Sequence, residues 1–392
     1  MSDLHRSDQS NTAGHGFRKN HIQWAEEWFG VPADLEWATR GYQSGDERQI
    51  LNLLGTVFPP SHSPRYWNWL HRENPCGYSM VRVAECEHEI VAFDQWVPVL
   101  MMMGEEYVGC LGMNAATHPH HRGKGMMKRL QKELAGEAAA RGLAVAYGIV
   151  EITGPMMRAN LAVTGGSKRV GPRRMRSFLL VLNLRRILAR RDLAWVPDKL
   201  GAIGLRATHK AKGLPPPGRV EIEQVSEFDE SFDELWNAVS SSLDKALVIK
   251  RSRAYLNWRY SLHPEYKYLT WVARENDILL GYVIGRHDRG EDSHRGIIAD
   301  IFGFHHRRDV MGALASSVVQ HFEERDAELV RCQLSDGHPC TKVLEDIGFV
   351  ARSSKRWLDF YVVSPAVGVD QAWLPRGENH MITWGDAHAD NL

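Results

Sequence analysis

The run His120-His121-Arg122-Gly123-Lys124-Gly125-Met126-Met127 holds the residue types and spacing best suited to chemistry in this 392-residue chain. Two glycines alternate with two cations in a short turn, between an apolar, strand-like run (Cys110 to Thr117) and a helix whose apolar positions fall at Met126, Met127, Leu130 and Leu134. A strand, a Gly-x-Gly turn and a helix N-terminus together make an anion site. The first-turn N–H groups have no intrahelical acceptor, and the helix dipole adds about half a positive charge. Gly123 and Gly125 let a phosphate approach the main chain, and Arg122 and Lys124 add charge at its rim. The pattern is not a P-loop, because Gly125 rather than Ser or Thr follows Lys124. It is not a dinucleotide fingerprint, because Lys128 stands where the third glycine belongs.

The elements that must position this turn can be read from periodicity. A short strand is expected over 36–43, a helix over 46–57 with Asp46 as N-cap, and a second helix over 65–72 stopped by Pro75. Strands follow at 80–86, 89–96, 98–103 and 107–117. The cradle helix runs from Gly123 to about Ala140. A buried strand at 143–150 comes next, then a helix over 155–163 and a glycine pair at 165–166.

The string Ala116-Thr117-His118-Pro119-His120-His121-Arg122-Gly123-Lys124-Gly125-Met126 resembles the Gln/Arg-x-x-Gly-x-Gly/Ala segment of the GNAT superfamily of N-acetyltransferases, in its His-Pro-x-x-Arg-Gly-x-Gly form. His120 departs from the pattern by occupying the Gln/Arg position. The order of elements over 36–182 is similar to that family's. The resemblance implies an α+β (α/β sandwich) fold, with a mixed central sheet flanked by helices. It also implies a coenzyme A pyrophosphate on the backbone of Arg122, Gly123, Lys124, Gly125 and Met126. The pantetheine arm would lie along the strand end at Ala115, Ala116 and Thr117, which would offer an N–H to the thioester carbonyl.

An internal repeat suggests that the fold occurs twice. Tyr66-Trp67-Asn68-Trp69 recurs as Tyr255-Leu256-Asn257-Trp258, displaced by 189 residues, and six of the 27 positions from Tyr66 to Ala92 are identical at that offset. His120-His121-Arg122 and Met126 match His305-His306-Arg307 and Met311 at an offset of 185. So long a period indicates a duplicated domain rather than a solenoid. The second turn reads Arg307-Arg308-Asp309-Val310. An acid and a β-branched residue there oppose a pyrophosphate, so one working cofactor site is expected, in the first copy. The expected organisation is a tail at 1–35, a GNAT domain with the acyl-CoA site at 36–182, a helical and proline-rich linker at 183–218, a second GNAT-like domain with a degenerate loop at 219–365, and a tail at 366–392. The linker is read as a closing strand at 178–182 and a helix with a solvated basic face, then Pro215-Pro216-Pro217. The repeated Tyr-x-Asn-Trp motif and the tail at 384–390 resemble tandem GNAT proteins among bacterial acyltransferases of polysaccharide and natural-product pathways.

Composition bounds these readings. Hydrophobic residues make up 43% and charged residues 24%, as in ordinary globular proteins, and the formal net charge of zero argues against a nucleic-acid binder. Five scattered cysteines form no C-x-x-C pair, the N-terminus lacks a signal-peptide core, and no apolar run is long enough for a bilayer. A cytoplasmic location without stable membrane insertion is expected. His118, His120 and His121 lack a nearby carboxylate or cysteine to complete a ligand set, so no metal is expected.

Acyl transfer to an amine needs a base near the cleft, because an aliphatic ammonium has a pKa of about 10.4. Glu151, at the end of the strand after the cradle helix, is the candidate base. Tyr147 on the same strand is a candidate acid, and no tyrosine occurs in 155–166, where many GNAT enzymes carry theirs. Glu105 and Glu106 read as a hairpin tip. Asp386 or His388 could fold back from the tail, although tails are more often disordered. The resulting expectation is an acetyl-CoA-dependent N-acyltransferase acting on an amine of a small molecule or amino sugar. Two alternatives stand beside it: an aminoacyl-tRNA-dependent peptidoglycan-type transferase, which would need no pyrophosphate cradle, and a non-catalytic acyl-CoA-binding or scaffold protein. The sequence leaves the oligomeric state open.

Overall fold

The computed structural model describes residues 37–151, 154, 156, 173–189, 219–243, 246–290, 293–362 and 380–387. The first half opens with β1 (Trp37–Gly41), α1 (Glu47–Val57) and α2 (Pro64–His71), followed by β2 (Met80–Cys86), β3 (Glu89–Met103) and β4 (Glu105–Thr117). Then come a 3-10 turn at Pro119–His121, α3 (Met126–Ala140), β5 (Val145–Glu151), β6 (Arg173–Val181) and α4 (Leu184–Ala189). α1 forms because Ile50, Leu51, Leu53 and Leu54 fall on one face, which packs on Trp67, Val83 and Phe93. Asp46 precedes it as expected but does not cap it. Its carboxylate instead turns back to Arg40 at 2.7 and 3.0 Å and accepts the Gln43 N–H.

The strands expected at 89–96 and 98–103 are one strand. Pro98 sits inside β3, in register with Cys110 of β4. Asn74 Nδ2 donates to the Pro98 carbonyl at 2.8 Å, on the side away from β4, so the missing N–H removes no ladder bond. The Glu105–Glu106 tip is where the β3–β4 hairpin turns, and Glu106 pairs with Lys250 at 2.6 Å. Apart from Met156, the helix expected at 155–163 lies outside the described residues, as do the glycine pair at 165–166, the proline run at 215–217 and His388.

The second half contains β7 (Glu221–Val225), α5 (Glu230–Ser240), β8 (Leu247–Ile249) and α6 (Arg253–Leu256), which runs on as a π turn at Asn257–Ser261. It continues with β9 (Leu269–Glu275), β10 (Ile278–Gly290), β11 (Ser293–Gly303), α7 (Arg308–Glu324), β12 (Leu329–Ser335), α8 (Thr341–Asp346) and β13 (Val350–Val362). The 189-residue offset reappears in local geometry. β9 and β2 correspond residue for residue. Ser63 and Ser252 cap α2 and α6 alike, accepting the N–H of Tyr66 at 3.1 Å and of Tyr255 at 3.2 Å. The β2–β3 and β9–β10 hairpins turn on paired left-handed residues, Glu87-His88 (φ 49° and 69°) and Asn276-Asp277 (φ 50° and 65°).

The motif copies also meet. Trp69 Nε1 donates to the Trp258 carbonyl at 2.7 Å and Trp258 Nε1 donates to the Trp69 carbonyl at 2.9 Å, with the two rings stacked 4.9 Å apart. This reciprocal contact sits in a core shared by both halves, with Val97, Val99 and Leu111 from one and Trp236, Tyr255 and Tyr282 from the other.

Among the described residues thirteen strands form one mixed sheet, flanked by helices, in the order β1-β2-β3-β4-β5-β13-β6-β12-β11-β10-β9-β7, with β8 paired to β3. The final strands are exchanged. β6, which follows the first half in sequence, pairs antiparallel with β12 of the second, and β13 pairs antiparallel with β5 of the first. The closing strand expected over 178–182 is longer, Arg173–Val181, and closes the other half. A second departure from expectation is the tail. Residues His380 to Asp386 are buried at the centre, where Met381 and Ile382 belong to the shared core. Their apolar side chains and satisfied main chain explain why this part of the tail is ordered.

Candidate functional site

β4 ends at Thr117, and the chain passes through the 3-10 turn and Arg122 into two left-handed glycines, Gly123 (φ 81°) and Gly125 (φ 80°), before α3 begins at Met126. A Cβ on Gly123 would meet no atom within 4 Å, so the positive φ, not crowding, is what calls for glycine there. Gly125 is the N-cap residue of α3 and supplies no side chain to cap it. By helix geometry the N–H groups of Met126 and Met127 have no intrahelical acceptor. Arg122 is held over the turn by a hydrogen bond from Nε to the Thr117 carbonyl at 3.3 Å. The His118 side chain accepts the His120 N–H at 3.4 Å, a local turn contact. Among the described residues no group of His, Cys, Asp or Glu is arranged to hold a metal.

Behind the turn the sheet splits. β4 and β5 run parallel but pair only at Cys110 with Ala146 and Leu111 with Tyr147. On its other edge β4 bulges, placing Asn114 and Ala115 opposite the single residue Asp94 of β3, with Asn114 left-handed at φ 57°. The split opens into a cleft of about 890 Å³, continuous with the glycine turn. Ala115, Thr117, Arg122, Gly123, Lys124, Gly125 and Met126 all border it. Ala116 does not: strand alternation turns its side chain into the cluster under α1, leaving only its main chain on the cleft side of β4.

The two side chains expected to do chemistry lie on one strand in different surroundings. Glu151 is exposed at the cleft mouth, in register with Arg356 of β13. Tyr147 borders the cleft but is 1% exposed, and its hydroxyl donates to the Asp386 carbonyl at 2.8 Å. Burial holds its phenol well above the usual tyrosine range. The tail therefore reaches the cleft floor through its main chain. The Asp386 carboxylate faces the second half, bonded to Arg251 at 2.7 Å and to the Thr383 N–H. Arg251 also contacts Asp300 at 3.1 Å, and all three side chains are 1% exposed. Burial raises Asp386 to about 6 against the opposing pull of Arg251.

Asp94 was not singled out by sequence, although it borders the cleft. It is 1% exposed, Oδ1 accepts the Gln95 N–H at 2.8 Å, and Oδ2 is buried without a hydrogen bond of normal geometry. Burial pushes its carboxyl up to about 7, although the Gln95 N–H and the neighbouring Trp96 and Gln131 side chains favour the ionised form. The available signal was a lone acid within the apolar run Ile90–Val99.

The second half treats the equivalent places differently. At its turn Arg307 grips Asp309 through Nε and Nη2, at 3.0 and 2.9 Å, and reaches Glu275 at 3.3 Å. Its parallel pair, β11 and β12, is joined over four residue pairs from Arg295 with Leu329 to Ile298 with Cys332, then opens. The tail fills that opening. Thr383 bridges Leu334 of β12, Ser335 donates its N–H to the Ile382 carbonyl, and Thr383 Oγ1 donates to Asp300 of β11 at 3.0 Å.

A family model described as an acetyltransferase (GNAT) domain matches residues 38–158. Three solved structures share the fold across most of the chain. One is a GCN5-related N-acetyltransferase from Anabaena variabilis (TM-score 0.59, 14% identity, covering 86% of this chain and 75% of that one). Another is a protein of unknown function from Enterococcus faecalis V583, a probable N-acyltransferase (0.59, 11%, 86% and 75%). The third is N-myristoyltransferase from Saccharomyces cerevisiae with bound myristoyl-CoA (0.57, 12%, 85% and 80%). No curated protein matches the sequence.

Proposed function

We propose that the protein, whose residues 38–158 match a GNAT acetyltransferase domain model, is an acyl-CoA-dependent N-acyltransferase that moves an acyl group, acetyl in our reading, to an amine of a small molecule or amino sugar. The observation that carries this is the uncapped N-terminus of α3, preceded by left-handed Gly123 and Gly125 and opening into the β4–β5 split. The geometry fits a diphosphate ahead of a long arm. Main-chain N–H groups from Arg122 to Met126 would hold the diphosphate, with the Arg122 and Lys124 charges at its rim. The unpaired edge of β4 from Met113 to Thr117 would hold the arm and direct an N–H at the thioester oxygen. Acyl-CoA supplies an activated carbonyl carbon. Glu151, at the mouth where an acceptor enters, would take the proton from the incoming ammonium.

The second half, in this reading, is a degenerate copy that lacks a cofactor site and walls the acceptor side. Among the described residues no helix is long and apolar enough to cross a membrane.

Titration of acetyl-CoA and longer acyl-CoAs by calorimetry tests the reading. One molecule should bind per chain, with a dissociation constant in the micromolar range. Gly125→Glu should abolish binding through steric block and charge, and Arg308→Ala in the second turn should leave it unchanged. Equal loss from both changes would refute a single site. Thiol release with a panel of primary amines, corrected for hydrolysis, then separates a transferase from a binding protein.

A further inference from the structure

We propose that Asp94 is the acid that protonates the departing thiol of this transfer reaction, an assignment that rests on the acyltransferase reading above. Three observations lead to it. Asp94 is the single β3 residue facing the Asn114-Ala115 bulge, so it lies where β4 parts from β5. Its side chain projects to the α3 side of the sheet, the side of the glycine turn, because Trp96 two residues on packs on Leu134 and Ala138 of α3. One carboxyl oxygen is tied to the main chain, and the other is shielded from solvent beside the Trp96 and Gln131 side chains, without a hydrogen bond of normal geometry. A buried oxygen in that state is best satisfied by carrying a proton and giving it to a group that enters the cleft.

The other candidates are less suited. The Tyr147 hydroxyl donates to the Asp386 carbonyl. Glu151 stands exposed at the mouth. Cys110, whose side chain shares the α3 face with Asp94, is fully buried, and burial raises its thiol beyond use. Other ionisable groups facing the cleft are Lys128 of α3 and, in the turn, His121, Arg122 and Lys124. Arg82, opposite Asp94 on β2, is paired with Glu137 at 2.9 Å, so its charge is matched elsewhere.

The step balances. The amine nitrogen bonds to the carbonyl carbon and the carbon–sulfur bond breaks, its electron pair going to sulfur. The Asp94 carboxyl proton moves to that sulfur, and the carboxylate is recharged by the proton released from the amine. An alkyl thiol has a pKa of about 8.5, so transfer from a carboxyl near 7 runs downhill.

The first test needs no acceptor. Infrared difference spectra of the whole chain between about pH 6 and about pH 8 should show a protonated carboxyl lost through pH about 7, absent in Asp94→Asn. The second uses acetyl-CoA with glucosamine as the probe amine, or the best amine of the panel if glucosamine is inert. Asp94→Asn should lower kcat by about 10²-fold and remove the decline in kcat above pH about 7, with acetyl-CoA affinity unchanged within about twofold. Retention of both kcat and the alkaline decline in Asp94→Asn overturns the assignment, as does a carboxyl that titrates in the ordinary range near 4. If acetyl-CoA does not bind the wild type, the acyltransferase reading fails instead, and the infrared result still shows whether the buried acid exists.

Discussion

The two halves share Ser-capped helices, left-handed hairpin turns and parallel strands that part after a short pairing, yet only one leaves its parting open. In the first half the space beside β4 and β5 is a cleft fed by a glycine turn. In the second, the space beside β11 and β12 holds the chain's own residues 382–386, and the turn carries an ion pair. The backbone plan alone therefore does not decide whether such a site is usable. A few residues at the helix start and one segment from elsewhere in the chain do. An Arg307–Asp309 pair neutralises charge that a diphosphate would need, and α7 already begins at Arg308, so Val310 is buried inside its first turn where the first half has Gly125 as cap.

The comparison can be broken most forcefully through the tail. Asp386→Ala leaves buried Arg251 with Asp300 as its acidic partner and should destabilise the fold by roughly 3–5 kcal/mol in chemical denaturation. A cost under about 1 kcal/mol would mean that the tail does not fill the second opening in solution. Next comes the contact between the motif copies. Trp69→Ala and Trp258→Ala should each cost about 3–5 kcal/mol, and the double variant less than their sum, because either change alone already removes the stacking of the two rings. Additive losses would show that the two rings are independent.

Glu151→Gln should slow turnover by about 10²-fold while acyl-CoA affinity holds, and unchanged turnover removes Glu151 as base. A smaller effect belongs to pH. The folded-state pKa of Asp94 is raised above its unfolded value, so the folded chain holds a proton that the unfolded chain releases between about pH 4 and about pH 7. Stability conferred by this group is present below that window and lost as pH rises through it. Asp94→Asn should therefore gain melting temperature relative to wild type across that interval, and a constant difference would contradict a raised pKa.

The glycine turn was legible in the sequence because positive φ and a missing cap are local demands that residue type reveals. The strand at 80–86 was legible from its alternation, whereas the one cap read from the sequence, Asp46, turns back to Arg40 instead. Pro98 misled because it lies between the stretches of β3 that pair with β2 and with β8, where no ladder needs its N–H, and the group that takes up its carbonyl, Asn74, is 24 residues away. Asp94 was concealed because alternation reports which face a residue takes, not whether its oxygens find donors. The fate of the tail depended on pairing with strands some fifty to eighty residues earlier, which no window of sequence displays.

The exchanged strands have a consequence for how the chain leaves the ribosome. β5, which carries Tyr147 and Glu151, is synthesised about two hundred residues before β13, its neighbour in the finished sheet. Until then one rim of the cleft is a bare ladder of amides, the kind of surface that captures strangers. The cleft so described is complete only when nearly the whole polypeptide exists, and a product truncated before β13 would lack the strand that covers β5.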